Sequence, residues 1–298
     1  MTTNWNKARA SRDEAANIAE MIVQGLEITK PPVSPFDVIR SERRRLVAFG
    51  DDFGDAFDGR LEYQKPKFII FYNTKYDAWP HKGKHHPKVT FTIAHEVGHF
   101  CLARHRNYLK KGGSPHGSQT EFVSDNLSER EADAFAAGLL MPKFLADDVV
   151  NAGPPEFKDV QEAKDLFEVS LTSMMLRWVQ LSNFPCAMCS VRDGSIEWGL
   201  TSDAFKKAGA YKVNRGKRVT SRAATKFISV DPSISRYRDE ERWGSAEHWL
   251  DFERTDLGVV EHFVAIPSTK QVLVFITADE EDTFKCLDDD DRLENSDE

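Results

Sequence analysis

Apolar positions recur at helical spacing near the start of the chain. Between residues 11 and 26 they lie three or four positions apart, which predicts an amphipathic helix. Its apolar face consists of Ala15, Ile18, Ala19, Ile22 and Val23. Pro31-Pro32 ends this pattern, and residues 35–39 predict a second short helix.

The next apolar runs differ in length and composition. Residues 68–72, Phe-Ile-Ile-Phe-Tyr, predict a strand of a small sheet. Residues 91–100 form a longer apolar run that predicts a helix. Residues 107–120 are polar and rich in glycine, which predicts a long loop. Residues 128–141 then predict a helix that stops at a proline.

Strand patterns dominate the second half of the chain. Asp193-Gly194 is typical of the turn in a β-hairpin, here within residues 191–198. Two apolar runs, residues 263–266 and 272–276, are predicted to pair as strands across residues 268–270. This part of the chain therefore predicts a mixed α/β domain.

These patterns predict an α+β protein with two domains and a tail. Residues 1–182 are expected to form a mainly helical domain with a small sheet. Residues 183–279 are expected to form a smaller mixed α/β domain. Residues 280–298 are acidic and poor in aromatic side chains, which predicts a disordered end.

Composition narrows the classes of function and the compartment. The net charge of −8 disfavours direct binding to nucleic acid, because affinity for phosphates depends on lysine and arginine. No apolar run approaches the length of a membrane helix, and the amino terminus lacks the pattern of a signal peptide. The four cysteines do not form a disulfide framework, and the lone pair Cys186 and Cys189 favours a structural role. We therefore expect a cytoplasmic protein.

The apolar run at residues 91–100 contains the motif His-Glu-x-x-His. Residues four apart share one face of a helix, so His95 and His99 can bind one metal ion with Glu96 beside it. Zinc bound in this way lowers the pKa of a water molecule to about 7, and a carboxylate can take the proton of that water. The motif predicts a zinc peptidase in which Glu96 is the general base.

Two glutamates are candidates for the third ligand. Zinc peptidases of the glutamate-ligand type take this ligand from a helix downstream of the motif, where Glu129 and Glu131 lie. Glu129 is preferred, because Asp133 lies four residues later on the same face and can accept a hydrogen bond from a metal-binding histidine. Glu131 has another explanation, since with Ser128 it forms the sequence pattern of a capping box.

Two other histidines are candidates for roles in the site. His105 has the spacing of a third histidine ligand, but that arrangement requires glycine at position 102, where this chain has Leu102. On an uninterrupted helix His105 would point away from His95 and His99. His116, in the predicted loop, is a candidate donor to the oxyanion, although a solvated loop histidine is the simpler interpretation.

Two separated segments of this sequence resemble the ImmA/IrrE family of zinc metallopeptidases. The first is Phe-Thr-Ile-Ala-His-Glu-Val-Gly-His at residues 91–99. The second, residues 129–142, has the pattern Glu-x-x-Ala-Asp-x-Phe-Ala-x-x-Leu-Leu-Met-Pro. The likeness extends from about residue 11 to residue 181, where residues 163–171 and 177–181 resemble the paired helices of that family.

The resemblance implies a zincin-like fold and a cytoplasmic zinc-dependent endopeptidase. Its zinc ligands would be His95, His99 and Glu129. Its substrate would be a separate helix-turn-helix transcriptional repressor, cleaved in stress response or in the regulation of mobile elements. No oligomeric state follows from it. The domain at residues 183–279 could be a GAF-like sensing domain or a platform for the partner.

Two further expectations concern the substrate. The strand at residues 68–72 is expected to act as an edge to which an extended peptide binds.

The alternative to an enzyme is a zinc-stabilised regulatory protein that sequesters its partner without cleavage. The presence of Glu96 favours the enzyme, because a protein that only binds needs no base at that position.

Overall fold

The computed structural model describes residues 2–77, 84–114, 117–118, 126–252 and 257–284. Contacts divide the chain into two compact units, one with Met1–Ala146 and Lys164–Ser170, the other with Asp147–Ala163 and Leu171–Glu298. A division by contacts does not define folding domains, so the predicted bounds at residues 182 and 279 stay a prediction. Among the described residues, no helix has the length and apolar composition needed to cross a membrane.

The helices of the first unit confirm most of the predicted pattern. They are α1 (Thr2–Gly25), α2 (Pro35–Ser41), α3 (Pro87–Cys101), α4 (Ala103–Lys110) and α5 (Leu127–Leu140), followed by α6 (Lys143–Val150), which continues past Ala146. Helix α1 begins before the predicted start at residue 11. Helix α4 corrects the predicted loop at residues 107–120 for its first four residues, because His105 and Leu109, four residues apart, are buried and stabilise a helix there.

The sheet of the first unit has the order β1-β3-β2-β4. Its strands are β1 (Leu46–Asp51), β2 (Gly59–Gln64), β3 (Lys67–Asn73) and β4 (Gly117–Ser118). Strand β3 is the predicted strand at residues 68–72, but the expectation that it is an edge was wrong. It pairs in parallel with β1 and antiparallel with β2, so both of its edges are already hydrogen-bonded.

A small residue allows α1 and α5 to approach each other closely. A Cβ atom added at Gly138 in α5 would lie 2.8 Å from the backbone oxygen of Ala16 in α1. The opposing residues Ala15 and Ala19 of α1 are completely or almost completely buried. The pairing therefore depends on the absence of a side chain at position 138.

The second unit contains a five-stranded antiparallel sheet with the order β6-β5-β11-β10-β8. The remaining strands are β5 (Cys186–Arg192), β6 (Ser195–Thr201), β7 (Lys212–Val213), β8 (Arg238–Ser245), β9 (Leu250–Asp251), β10 (Gly258–Ile266) and β11 (Gln271–Thr277). Both predicted hairpins are confirmed, β5 with β6 and β10 with β11. Aromatic side chains of Phe205, Phe227, Trp249 and Phe263 form much of the core on one face.

The remaining helices are α7 (Phe157–Phe167), α8 (Leu171–Leu181), α9 (Asp203–Lys207), α10 (Arg222–Val230) and α11 (Glu280–Phe284), with a short 3-10 helix at Ala246–His248. Helix α8 contacts β5 and β6. Helix α11 corrects the predicted disorder of the tail for its first five residues. Its first turn contains Glu280, Glu281 and Asp282, whose negative charge is favourable at a helix amino terminus. Residues 285–298 lie outside the described part of the chain.

The pair Cys186 and Cys189 lies within β5, where both side chains are buried. Residues three apart on a strand face opposite sides of the sheet, so these two thiols do not form one site. Burial raises the pKa of the Cys186 thiol to about 12, although hydrogen bonds with Ser182 and Ser202 oppose this shift. Burial also raises the pKa of the Cys189 thiol. This arrangement supports the structural interpretation of the pair.

The close approach of α1 and α5 makes Gly138→Ala informative. The added methyl group meets backbone, which cannot rotate away, so overpacking is expected to cost about 1–3 kcal/mol. That cost exceeds the gain of about 1 kcal/mol from replacing glycine by alanine within a helix. Denaturant unfolding should show a net loss of stability. Gly25→Ala in α1 is the control, since nothing lies within 4 Å of its added Cβ, and equal stability of the two variants would refute the close packing.

Candidate metal centre

Helix α3 presents the His-Glu-x-x-His motif from a well-defined start. Pro87 occupies its first turn, and the ring Nδ1 of His86 accepts a hydrogen bond from the backbone N–H of Lys88, 3.1 Å away. The helix contacts β2, β3 and α5. Its residues from Thr92 to Phe100 are all buried. The motif therefore lies in the interior of the unit.

The Nε2 atoms of His95 and His99 point at the same place and lie 3.1 Å apart. The carboxylate of Glu129, in the first turn of α5, completes the group. Its Oε2 is 3.2 Å from Nε2 of His95, and its Oε1 is 3.6 Å from Nε2 of His99. The structure thus brings together the three residues that the sequence offered as metal ligands, with all ligand atoms within 4.8 Å of one another.

These distances fit a tetrahedral zinc ion. Zinc bonds nitrogen and oxygen at about 2.0–2.2 Å, which places neighbouring ligand atoms of a tetrahedron about 3.3 Å apart. The Nε2 atoms of His95 and His99, 3.1 Å apart, are near that separation, and one oxygen of Glu129 lies 3.2 Å from the first nitrogen while the other lies 3.6 Å from the second. Two imidazoles and one carboxylate also match a known ligand set of catalytic zinc. His95, His99 and Glu129 are therefore suited to hold zinc.

Asp133 lies one turn after Glu129 and supports His95 from the other side. Its Oδ1 is 2.9 Å from Nδ1 of His95. Burial lowers the pKa of His95, but hydrogen bonds to Asp133 and Glu129 and the charge of Glu96 outweigh burial and raise that pKa to about 10. The surroundings of His95 therefore strongly favour a positive charge.

Glu96 is almost fully buried, with 1% of its surface exposed, and lies against β2. A Cβ atom at Gly59 would lie only 2.9 Å from its Oε1. Glu96 and His99 line one cavity of about 400 Å³. Its apolar lining includes Leu61, Leu109 and Leu127. A carboxylate and a candidate metal ligand thus face the same space, large enough for a side chain of a bound peptide.

The expectation that only glycine at position 102 could redirect the chain was wrong, because the chain turns at Leu102. Helix α3 ends at Cys101, and Leu102 adopts φ −70° and ψ 111°, an extended conformation open to any residue. Helix α4 then begins, and Nδ1 of the buried His105 lies 3.0 Å from Nδ1 of His99. His105 therefore contacts the side of His99 that faces away from the Nε2 cluster. No glycine or proline marks this break in the sequence.

Glu131 does not form the predicted capping box. Asn126 caps α5 instead, because its side chain accepts a hydrogen bond from the backbone N–H of Ser128 at 3.1 Å. Glu131 is buried, and its carboxylate bonds His105 Nε2 at 2.7 Å and Arg104 Nη2 at 2.7 and 2.5 Å. Glu131 lies four and eight residues before Phe135 and Leu139, which are both fully buried. This helical spacing was the feature of the sequence that could have predicted that Glu131 faces inward.

His116, the candidate oxyanion donor, lies outside the described residues.

The part of the chain that contains α3 and α5 matches a known protein family. The family Peptidase_M78, described as the IrrE N-terminal-like domain, matches residues 81–178. Helix α3 and helix α5 both lie within that match. No curated protein matches the chain.

A similar solved structure is a Mycobacterium tuberculosis transcriptional regulator, with 12% identity and a TM-score of 0.53. The likeness covers 90% of this chain and 76% of that one. At this identity it shows the fold alone. The family match confirms the resemblance inferred from the two sequence segments, since residues 81–178 match the IrrE N-terminal-like domain.

Proposed function

We propose that this chain is a zinc-dependent endopeptidase that cleaves a partner protein. The observation that carries the proposal is the convergence of His95, His99 and Glu129 next to the buried carboxylate of Glu96. A site that served only to stabilise the fold would have no need of a carboxylate beside an open cavity. Zinc held here supplies Lewis acidity, which polarises a peptide carbonyl and acidifies water.

Glu96 acts as the general base. Its carboxylate takes a proton from the attacking water and passes it to the nitrogen of the departing amine, so one group serves as base and then as acid. The low exposure of Glu96 strengthens its electrostatic interactions, because little water screens them. Asp133 holds His95 through Nδ1 and so keeps the Nε2 atom directed at the ligand cluster.

The substrate binds as an extended segment beside β2. Strand β3 is excluded from this role because it is internal to the sheet. Strand β2 pairs with β4 only at Gly59 and Arg60, so among the described residues no strand covers that edge from Leu61 onward. Leu61 also lines the cavity that contains Glu96 and His99. A peptide hydrogen-bonded along this edge would have a side chain in the cavity.

The substrate is a helix-turn-helix transcriptional repressor on a separate chain, and cleavage occurs in the cytoplasm. This part of the proposal rests on the family, whose resemblance implies such a partner in stress response or in the regulation of mobile elements. A net charge of −8 favours contact with a basic protein over contact with DNA.

The ligand set predicts the effect of Glu129→Ala on zinc binding. Loss of an outer hydrogen bond to a ligand costs about 10–100-fold in metal affinity, so loss of a ligand should cost more than about 100-fold. Competition with a chromogenic chelator measures this. The control is Glu42→Ala, which removes a partly exposed ion pair with Arg45. A Glu129→Ala protein that binds zinc as the wild type does would exclude Glu129 from the ligand set.

The assignment of the base predicts the effect of Glu96→Gln on cleavage. The variant should retain zinc and fold but lose at least about 10²–10⁴-fold in rate, since the amide cannot accept the proton. The measurement is intact-mass spectrometry of a helix-turn-helix regulator encoded nearby, co-expressed with wild type, Glu96→Gln or the control Glu42→Gln. Two fragments that require Glu96 establish the peptidase. Equal cleavage by Glu96→Gln would refute the base, and an uncut regulator that co-purifies would favour sequestration.

A further inference from the structure

The side of His99 opposite the metal cluster contacts a buried chain of two polar residues. We propose that His105 and Glu131 form a hydrogen-bond relay that positions His99 as a metal ligand, with Glu131 acting only through His105. The proposal rests on the zinc site proposed above. It makes both residues positioning residues, since neither reaches the cluster itself.

The direction of each hydrogen bond follows from the chemistry of imidazole. When Nε2 of a neutral His99 binds a metal, the proton of its ring is on Nδ1, which must donate. The acceptor is Nδ1 of His105, 3.0 Å away. His105 then carries its own proton on Nε2, which donates to Oε2 of Glu131 at 2.7 Å. Both histidines are thereby fixed in one tautomer.

The end of the relay is a carboxylate held in place from three directions. Besides His105, the side chains of Arg104 and Ser11 donate hydrogen bonds to Glu131. Arg104 contacts both carboxylate oxygens of Glu131, while Ser11 contacts Oε1 and His105 contacts Oε2. The relay therefore ends on a buried acceptor whose orientation is fixed by several donors.

The two metal-binding histidines are therefore supported in different ways. His95 donates directly to Asp133, whose side chain is 31% exposed. His99 reaches its carboxylate through one imidazole, and the side chains of His105 and Glu131 are only 6% and 5% exposed. If the site needed only acidic residues nearby, the two histidines would have no reason to differ in this way. The difference therefore supports a specific role for His105 and Glu131.

A thermodynamic cycle on zinc affinity tests the relay. His105→Phe keeps an aromatic ring but removes the acceptor, and should weaken zinc binding about 10–100-fold. Glu131→Gln keeps the shape but removes the charge, and should weaken it about 10-fold. Because Glu131 acts only through His105, the double variant should bind zinc within about twofold of His105→Phe. Losses that multiply in the double variant would overturn the relay.

Glu42→Gln is the matched control, because it makes the same chemical change at the partly exposed pair with Arg45. Its zinc affinity should equal that of the wild type. Thermal unfolding of the metal-free variants separates weak binding from loss of fold. A wild type that fails to bind zinc would overturn both this inference and the proposed function. Zinc binding by the wild type that neither variant weakens would overturn the relay alone.

The tautomers can be measured without any variant. In long-range proton–nitrogen NMR spectra of the zinc-loaded wild type, the ring proton of His99 should be on Nδ1 and that of His105 on Nε2. This outcome supports the relay even where a variant does not fold. A proton on Nδ1 of His105 would overturn it, because that atom could then no longer accept from His99.

Discussion

Charge buried between α3 and α5 is the constraint on which the rest of the first unit depends. His95, Glu96 and His99 lie in the interior, next to fully buried apolar side chains such as Ile93 and Phe135. Burying ionisable groups is costly unless each finds a partner. The carboxylates of Glu96, Glu129 and Asp133 favour a positive charge on His95. A metal cation held by His95, His99 and Glu129 would supply a positive charge at the same place.

The helix pairings position this cluster. Helix α3 packs on α5, and α5 packs in turn on α1, where Gly138 permits a close approach to Ala16. Glu129 and Asp133, four residues apart on α5, therefore meet the two ring nitrogens of His95 from different sides. Ser11 on α1 reaches the carboxylate of Glu131. Helices α3 and α5 thus supply the ligand set, while α1, α4 and α5 supply its outer hydrogen bonds.

The sequence was sufficient for those parts of the site that follow from local periodicity. The spacing of His95 and His99 places both on one face of a helix, and the same rule pairs Glu129 with Asp133. Both hairpins of the second unit were predictable for a similar reason, because short-range turn chemistry and alternating runs specify them. In each case the partners lie close together in the chain or share one helix.

The parts that were missed depend on contacts between distant segments. The order β1-β3-β2-β4 depends on a parallel pairing of β1 with β3 that no turn signal announces. The break at Leu102 has no glycine or proline, and only the packing of His105 and Leu109 accounts for helix α4. Glu131 matched the sequence pattern of a capping box, but Asn126 caps the helix instead, and the side chain of Glu131 faces inward.

The two sides of the cluster differ in their exposure to water, and this has a physical consequence. Salt screens interactions of exposed charges far more than those of buried ones. Asp133 is partly exposed, so solvent ions reduce its effect on His95. Glu131 is enclosed by Arg104, His105 and Ser11, so its effect on His99 persists over a wider range of ionic strength. In the proposed metal site, the support of His99 would therefore be less sensitive to salt than the support of His95 by Asp133.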